Sequence, residues 1–146
     1  MNYMEIKLLN DLARVPTKAS EGAAGFDIYC AESDDVFITP GDTVKVSTGI
    51  ATAIPQGYFG AVFPRSGLAT KQGLRLANCV AVIDSDYRGE WLIPLHNDSD
   101  TTRVIEPGDR IAQVVFIECP PFQFEVVKDL DETERGDGGF GHSGVK

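Results

Sequence analysis

The most regular feature of the chain is a two-residue alternation of apolar and polar positions. Val44, Val46, Thr48 and Ile50 alternate with polar or small residues, which is the period of a half-buried strand. Further short β-rich runs, separated by turn-forming residues, cover residues 5–9, 25–30, 36–39, 58–63, 80–83, 90–95 and 111–118. Many short strands at this spacing predict an all-β fold: an antiparallel sandwich, jelly roll or barrel.

One segment has a helical composition. Residues 66–72 combine Leu, Ala and Lys after a serine that could cap a helix, so they predict one short helix of a couple of turns at most.

The character of the chain changes after Val127. Residues 128–134 are charged and nearly devoid of apolar side chains, and residues 135–144 contain five glycines and one aromatic, Phe140. Such a segment cannot support a core of its own. We therefore predict a β domain over residues 1–127 and a flexible glycine-rich arm over residues 128–146.

Composition narrows the function. The 146 residues fit one domain, and neither a membrane-length apolar stretch nor a signal peptide is visible, which predicts a cytoplasmic protein without a membrane partner. Three separated cysteines predict reduced, mostly buried thiols rather than disulfides or a zinc site. The formal net charge of −9 disfavours nucleic acid, whereas an anionic small molecule could bind with local arginines and a divalent metal.

Two polar segments in the domain could bind a ligand, although each has a simpler structural explanation. In residues 64–69, Gly67 allows close approach of a ligand and Arg65 suits phosphate, but a capped surface helix explains the segment alone. In residues 83–90, directly after an apolar strand, one carboxylate could act as a base, but a solvated hairpin is the commoner explanation.

Two further segments are equally open. Arg110 and Gln113 are three residues apart on a predicted strand, so their side chains should point to opposite faces and not line one pocket together. The arm matches G-x-G-x-x-G, but no strand precedes it and no helix follows, which argues against a dinucleotide fold. Phe140 could stack on a base and Arg135 could grip phosphate, whereas a plain disordered tail is the alternative.

The order of these segments is more specific than any one of them. They comprise residues 24–28, residues 64–69 with Lys71 and Gly73, and residues 83–89, 107–113 and 135–141. Taken together they resemble the five motifs of trimeric dUTP pyrophosphatases (dUTPases), and the match is collinear over nearly the whole chain. The resemblance implies a jelly-roll-like antiparallel β domain assembled as a homotrimer. Each active site would take motifs one, two and four from one chain, motif three from a neighbour, and the arm from the third.

The resemblance also implies a reaction, the hydrolysis of dUTP to dUMP and pyrophosphate. This activity limits uracil incorporation into DNA and supplies dUMP for dTMP synthesis. Asp84 matches the catalytic aspartate, which orients a water for in-line attack on the α-phosphorus. Mg²⁺ is the implied cofactor, held by substrate phosphates and waters without direct protein ligands, and Asp27 matches an aspartate near that metal–water network.

Substrate contacts follow from the same resemblance, position by position. The implied substrate-binding residues are Arg65, Ser66, Gly67 and Gln113 at the phosphates, Asn78 at the uracil edge, Tyr87 at the deoxyribose, and Arg135, Phe140, Gly141 and Ser143 in the arm. Phe140 would cover the uracil, while Arg135 and Ser143 would reach the γ-phosphate. One position departs from the family pattern: Ala81 stands where a glycine is usual, which affects the uracil pocket rather than the chemistry.

Two alternatives remain at this point. A dCTP deaminase-like enzyme would share the fold, but that family has Arg-Ser-Ser where this chain has Gly67, and its catalytic glutamate would fall at Pro94, which cannot act as a base. A non-catalytic regulatory protein could use the same scaffold, but Asp84, Tyr87 and the complete arm favour catalysis.

Overall fold

The fold is built almost entirely from short antiparallel strands. The computed structural model describes residues 3–145, which contain eleven strands and one short helical segment. The strands are β1 (Glu5–Leu8), β2 (Phe26–Tyr29), β3 (Val36–Ile38), β4 (Thr43–Ser47), β5 (Ile50–Ala53), β6 (Tyr58–Phe63), β7 (Leu74–Leu76), β8 (Ala81–Ile83), β9 (Leu92–Asn97), β10 (Arg103–Ile105) and β11 (Arg110–Glu118). Every strand pairing among these residues is antiparallel, which confirms the all-β prediction.

Four sheets share one core. The strand orders are β2-β11-β6-β8 and β4-β9-β7 in the two larger sheets, and β1-β5 and β3-β10 in the two-stranded ones. Ile28 and Val114 of the four-stranded sheet and Val46 and Leu95 of the three-stranded sheet are at most 1% exposed and belong to one apolar cluster. Trp91, the largest fully buried side chain, belongs to the same cluster, so the sheets pack on a common interior.

Two details differ from the strand prediction. The alternation over residues 44–50 is not one strand, because it is interrupted after β4 and resumes at β5. Gly49 lies in the interruption with a φ of 65°, a left-handed conformation that suits glycine. The strands β7 and β10 were not predicted, since each contains an arginine among its three residues and forms no apolar run.

The predicted short helix is present. A single π-helical segment spans Leu68–Gln72, and Ser66 and Gly67 already have helical geometry before it. The segment ends at Gly73, whose φ of 69° lets its backbone N–H donate to the carbonyl of Leu68.

The last strand ends at Glu118, and residues 119–145 contain neither strand nor helix. This segment exposes large apolar side chains, among them Phe122, Phe124 and Val126, each at least 86% exposed. The domain boundary at residue 127 and the flexibility of the arm stay predictions.

The cysteine prediction was wrong in part. Cys30 is buried, but Cys79 and Cys119 are exposed. The reason is their placement: Cys79 lies between β7 and β8, and Cys119 directly follows β11. Within residues 3–145, no helix has the length and apolar character that crossing a membrane requires.

Candidate active site

Strand β6 separates the candidate residues into two groups. It lies between β11 and β8, and its residue Gly60 pairs with Ile83, which places Asp84 beside Phe59 near the start of β6. Arg65 and Ser66 follow the opposite end of the strand, after Phe63. Phe63 lies four positions after Phe59, so at about 3.3 Å per residue the backbone positions next to the two groups are about 13 Å apart.

The first group is centred on Asp27 of β2. Its carboxylate accepts a hydrogen bond from Arg65 Nε at 3.1 Å through Oδ1 and from Arg110 Nη1 at 3.4 Å through Oδ2. The Asp27 side chain is 13% exposed, whereas that of Arg110 is 48% exposed. One largely buried carboxylate therefore orients two guanidinium groups and leaves them with a net positive charge at the surface.

The presence of Arg110 in this group corrects the strand argument, which had placed Arg110 and Gln113 on opposite faces. Arg110 pairs with Tyr29 and Gln113 pairs with Asp27, with a register shift between Arg110 and Ala112. Tyr29 and Asp27 are two residues apart and point to the same face of β2. The extra residue of this β-bulge thus brings both side chains of β11 to one face, and sequence alternation alone could not show it.

The side chain of Gln113 lies close to two other segments of the chain. Its Nε2 donates to the carbonyl of Pro64 at 3.0 Å, directly before Arg65. A Cβ added at Gly25 would lie 2.6 Å from Gln113 Oε1, so glycine at this position makes room for the amide. The sequence placed residue 25 in a predicted strand and in the first motif, and the close approach that requires glycine there is visible only in the tertiary structure.

Ser66 and Gly67 are exposed at the start of the helical segment. Gly67 has an ordinary helical backbone with a φ of −65° and a ψ of −40°, and a Cβ added there would meet nothing within 4 Å. The chain itself therefore does not require glycine at position 67. A group that approaches from outside the chain would explain it.

The second group lies on the loop after β8. Asp84 is exposed, and no hydrogen bond or ion pair to its carboxylate is formed within residues 3–145. It borders an open cleft of about 920 Å³ with Phe59 and Arg88. The Arg88 guanidinium donates to the carbonyl of Ser85 at 2.6 Å and thereby braces the loop. The Asp84 oxygens are thus free to accept hydrogen bonds from a ligand or water.

The remaining predicted residues are separate from the first group as well. Tyr87 is 43% exposed, and its Oη donates to the carbonyl of Glu90 at 2.9 Å. Asn78 is exposed in the turn between β7 and β8.

In the arm, Phe140 is fully exposed. Arg135 Nε donates within the arm, to the carbonyl of Gly138 at 2.7 Å. Gly141 and Ser143 lie in the turns that follow. One chain therefore assembles the Asp27 group but brings neither Asp84 nor the arm to it.

Comparison with known proteins identifies the family. The family model described as dUTPase matches residues 11–144. The chain belongs to the dUTPase family. It is 47% identical to the deoxyuridine 5'-triphosphate nucleotidohydrolase of Syntrophotalea carbinolica over 141 residues, covering 97% of this chain and 96% of the relative. It is 45% identical to the enzyme of the same name from Desulfitobacterium hafniense, covering 99% of both chains. Because both relatives are deoxyuridine 5'-triphosphate nucleotidohydrolases and match nearly the full length, the chain is an enzyme of the dUTP diphosphatase class.

Solved dUTPase structures have the same fold. The Staphylococcus bacteriophage 80alpha dUTPase with dUPNHPP superposes with a TM-score of 0.91 at 31% identity, covering 99% of this chain and 100% of that one. This similarity confirms the jelly-roll-like prediction. A mutant dUTPase from phage phi11 of S. aureus, solved with a structural Mg(II) ion, has a TM-score of 0.78 at 27% identity, covering 88% of this chain and 98% of that one.

Proposed function

We propose that this dUTPase hydrolyses dUTP to dUMP and pyrophosphate at sites shared between the subunits of a homotrimer. The observation that carries the proposal is the separation along β6: Asp84 lies at one end, and Arg65 with Arg110 lies at the other. A water activated by Asp84 must come within about 3.5 Å of the phosphorus it attacks. A neighbouring chain that presents its own Asp84 to the arginine group satisfies this requirement.

Exposed apolar surface supports the assembly. An open groove of about 390 Å³ is lined by apolar side chains such as Ile6, Phe26 and Phe116, together with Trp91 and Thr52. Trp91 Nε1 and Thr52 Oγ1 are buried without a hydrogen-bond partner within residues 3–145. The apolar side chains of the segment after β11 are also exposed. A second copy of the chain that covers this groove would bury the groove and the apolar side chains after β11. It could also supply hydrogen-bond partners for Trp91 Nε1 and Thr52 Oγ1.

Asp84 acts on the attacking water. Its unengaged carboxylate accepts a hydrogen bond from the water and turns a lone pair of the water oxygen toward the α-phosphorus, opposite the pyrophosphate leaving group. The main contribution of Asp84 is to position the water for attack.

The first group binds the phosphates. Arg65 and Arg110 supply positive charge, and Ser66, Gly67 and Gln113 surround them with donors and space for close approach. Arg110 is an addition to the residues predicted from sequence.

Mg²⁺ bound through the phosphates and waters would offset their negative charge. Within residues 3–145 no three His, Cys, Asp or Glu side chains form a metal-binding group, and a metal held by the phosphates needs none. In the free chain Asp27 holds the two arginines, and its contact with metal-bound waters stays a prediction.

Selectivity comes from the loop and the arm. Asn78 would read the uracil edge, and Tyr87 would pack against the deoxyribose and leave no room for a 2′-hydroxyl. In the arm of the third subunit, Phe140 would stack on the uracil, and Arg135, Gly141 and Ser143 would close over the γ-phosphate. The arm's own hydrogen bonds are short-range, so it can be redirected at small cost.

In the cell, this enzyme would limit uracil incorporation and supply dUMP. Its three free cysteines fit a reducing cytoplasm, and we propose neither a nucleic-acid nor a membrane partner.

The test is pyrophosphate release from dUTP and Mg²⁺ by the wild type and by Asp84→Asn. We expect the variant to lose about 10²–10⁴-fold in kcat. Asp86→Asn is the matched control, because Asp86 is an exposed carboxylate in the same loop and should leave the rate nearly unchanged. Equal rates for Asp84→Asn and wild type would disprove the role of Asp84. Release of ammonia from dCTP would instead support the deaminase alternative.

A further inference from the structure

The side chain of Tyr87 is folded back over the residue two positions after it. A Cβ added at Gly89 would lie 2.5 Å from Tyr87 Oη and 2.7 Å from its Cζ, distances that real Cβ atoms do not tolerate. Gly89 does not have a positive φ, so its backbone conformation does not call for glycine. The ring of Tyr87 is the structural reason for glycine at position 89.

The segment beneath the ring is anchored to the core. Tyr87 Oη donates to the carbonyl of Glu90 at 2.9 Å, and the Glu90 carboxylate accepts from Ser47 Oγ at 2.7 Å. The next residue, Trp91, is 1% exposed, and its backbone N–H donates to the carbonyl of Ile50 at 2.9 Å. Residues 89–91 therefore form a fixed platform on which the ring of Tyr87 rests.

We propose that Gly89 determines selectivity between 2′-deoxyribonucleotides and ribonucleotides by setting the position of the Tyr87 ring. The inference rests on the proposed function, in which Tyr87 packs against the sugar. A steric gate discriminates only if the gating group cannot retreat, because a ring that moves aside admits the extra hydroxyl. Gly89 lets the outer end of the ring approach the platform closely, and the hydrogen bond to the Glu90 carbonyl holds it there.

A methyl group at position 89 would displace the ring without unfolding the protein. The atoms that it meets belong to the outer end of a side chain that is 43% exposed, and that end can swing into solvent. The anchors of the platform at Ser47 and Ile50 are unaffected. Gly89→Ala should therefore change selectivity more than stability.

The experiment measures kcat/KM for dUTP and for UTP in the wild type, Gly89→Ala, Tyr87→Phe and Gly22→Ala. Gly22→Ala is the matched control, because an added Cβ there meets nothing within 4 Å and its φ is not positive. Tyr87→Phe keeps the ring and removes only its hydrogen bond to Glu90. Thermal melts establish that each variant is folded.

We expect the ratio of the two kcat/KM values to fall about tenfold or more in Gly89→Ala and about fivefold in Tyr87→Phe, and to stay at the wild-type value in Gly22→Ala. If Gly89 had a purely structural role, its substitution would lower kcat/KM for dUTP and for UTP in proportion and leave the ratio unchanged. If the wild type prefers dUTP but Gly89→Ala and Tyr87→Phe keep its ratio, the inference is wrong while the proposed function stands. If Gly89→Ala does not fold, an unchanged ratio in Tyr87→Phe overturns the inference, and a reduced one supports it. A wild type that does not hydrolyse dUTP contradicts the proposed function itself.

Discussion

The separation of Asp84 from Arg65 leads to a complementation experiment between two inactive variants. Asp84→Asn removes the residue that we propose positions the water, and Arg65→Ala removes the proposed phosphate-binding guanidinium at the other end of β6. If each site takes these residues from different chains, a mixed trimer contains some sites with both residues intact. If each site lies within one chain, no mixture can restore a complete site.

The size of the recovery follows from chance assembly. In trimers formed from equal amounts of the two variants, half of the chains carry an intact Asp84 and half carry an intact Arg65. A shared site then receives both with a probability of about a quarter when homotrimers are included. Once the homotrimers are removed, about one site in three of each mixed trimer is complete, so the purified sample should show about a third of wild-type activity. Asp84→Asn alone should retain about 1% or less, so the recovery stands well above the background.

The assay uses variants with different affinity tags that are unfolded, mixed, refolded and purified through both tags in succession. Pyrophosphate release from dUTP is then measured. The control mixture combines Asp84→Asn with Tyr87→Ala, two lesions on the same loop. In the proposed site that loop comes from a single chain, so no mixture of these two provides an intact loop, and activity should not exceed the mean of the two variants measured alone.

Two results would refute the reasoning. Verified mixed trimers of Asp84→Asn and Arg65→Ala without recovered activity would place both residues of a site in the same chain. Equal recovery in the control mixture would show that refolding, and not shared sites, restores activity.

Three further predictions concern the arm, the phosphate group and the buried thiol. Truncation after Leu130 should leave the assembly intact by gel filtration but lower kcat/KM for dUTP by about tenfold or more, since the arm residues proposed to close the site are lost. Normal turnover would exclude a closing role for the arm. Arg110→Ala should raise KM for dUTP about threefold to tenfold with little change in kcat. Arg75→Ala should not, because Arg75 lies on another sheet, in β7, and its guanidinium pairs with Asp98. Burial, with help from the nearby carboxylates of Glu32 and Asp109, raises the pKa of the Cys30 thiol above its ordinary value of 9.0. As pH rises past 9.0 the unfolded thiol ionises before the folded one, so stability falls. Thermal melts between pH 8 and pH 10 should show a smaller loss in Cys30→Ala than in the wild type; parallel curves would rule out this origin.

Much of the fold could be read from local pattern. Alternation and turn residues located most strands, including β6, and the composition of residues 66–72 located the helical segment. These features are local, because a strand of five or six residues carries its own two-residue period. Among the three-residue strands, β3 and β8 were located because they lie in wholly apolar runs, whereas β7 and β10 each contain an arginine and escaped prediction.

The candidate residues also divide into those that the sequence identified and one, Arg110, that it misplaced. The residue types and their order were enough to single out Asp84, Arg65, Gln113 and Tyr87 and to indicate the family. Arg110 was misplaced because a β-bulge in β11, invisible in the sequence, turned its side chain to the face of Asp27.

The relative positions of the candidate residues depend on the tertiary structure. The pairing register of β8 with β6 places Asp84 at one end of the sheet and Arg65 at the other, and this separation is what calls for a second chain. The contact of Tyr87 with Gly89 and the Glu90 carbonyl likewise appears only when the loop is folded. The sequence by itself determined which chemical groups are present and which strands carry them. Only the tertiary structure decided which groups meet, because register, bulges and side-chain packing depend on residues far apart in the chain.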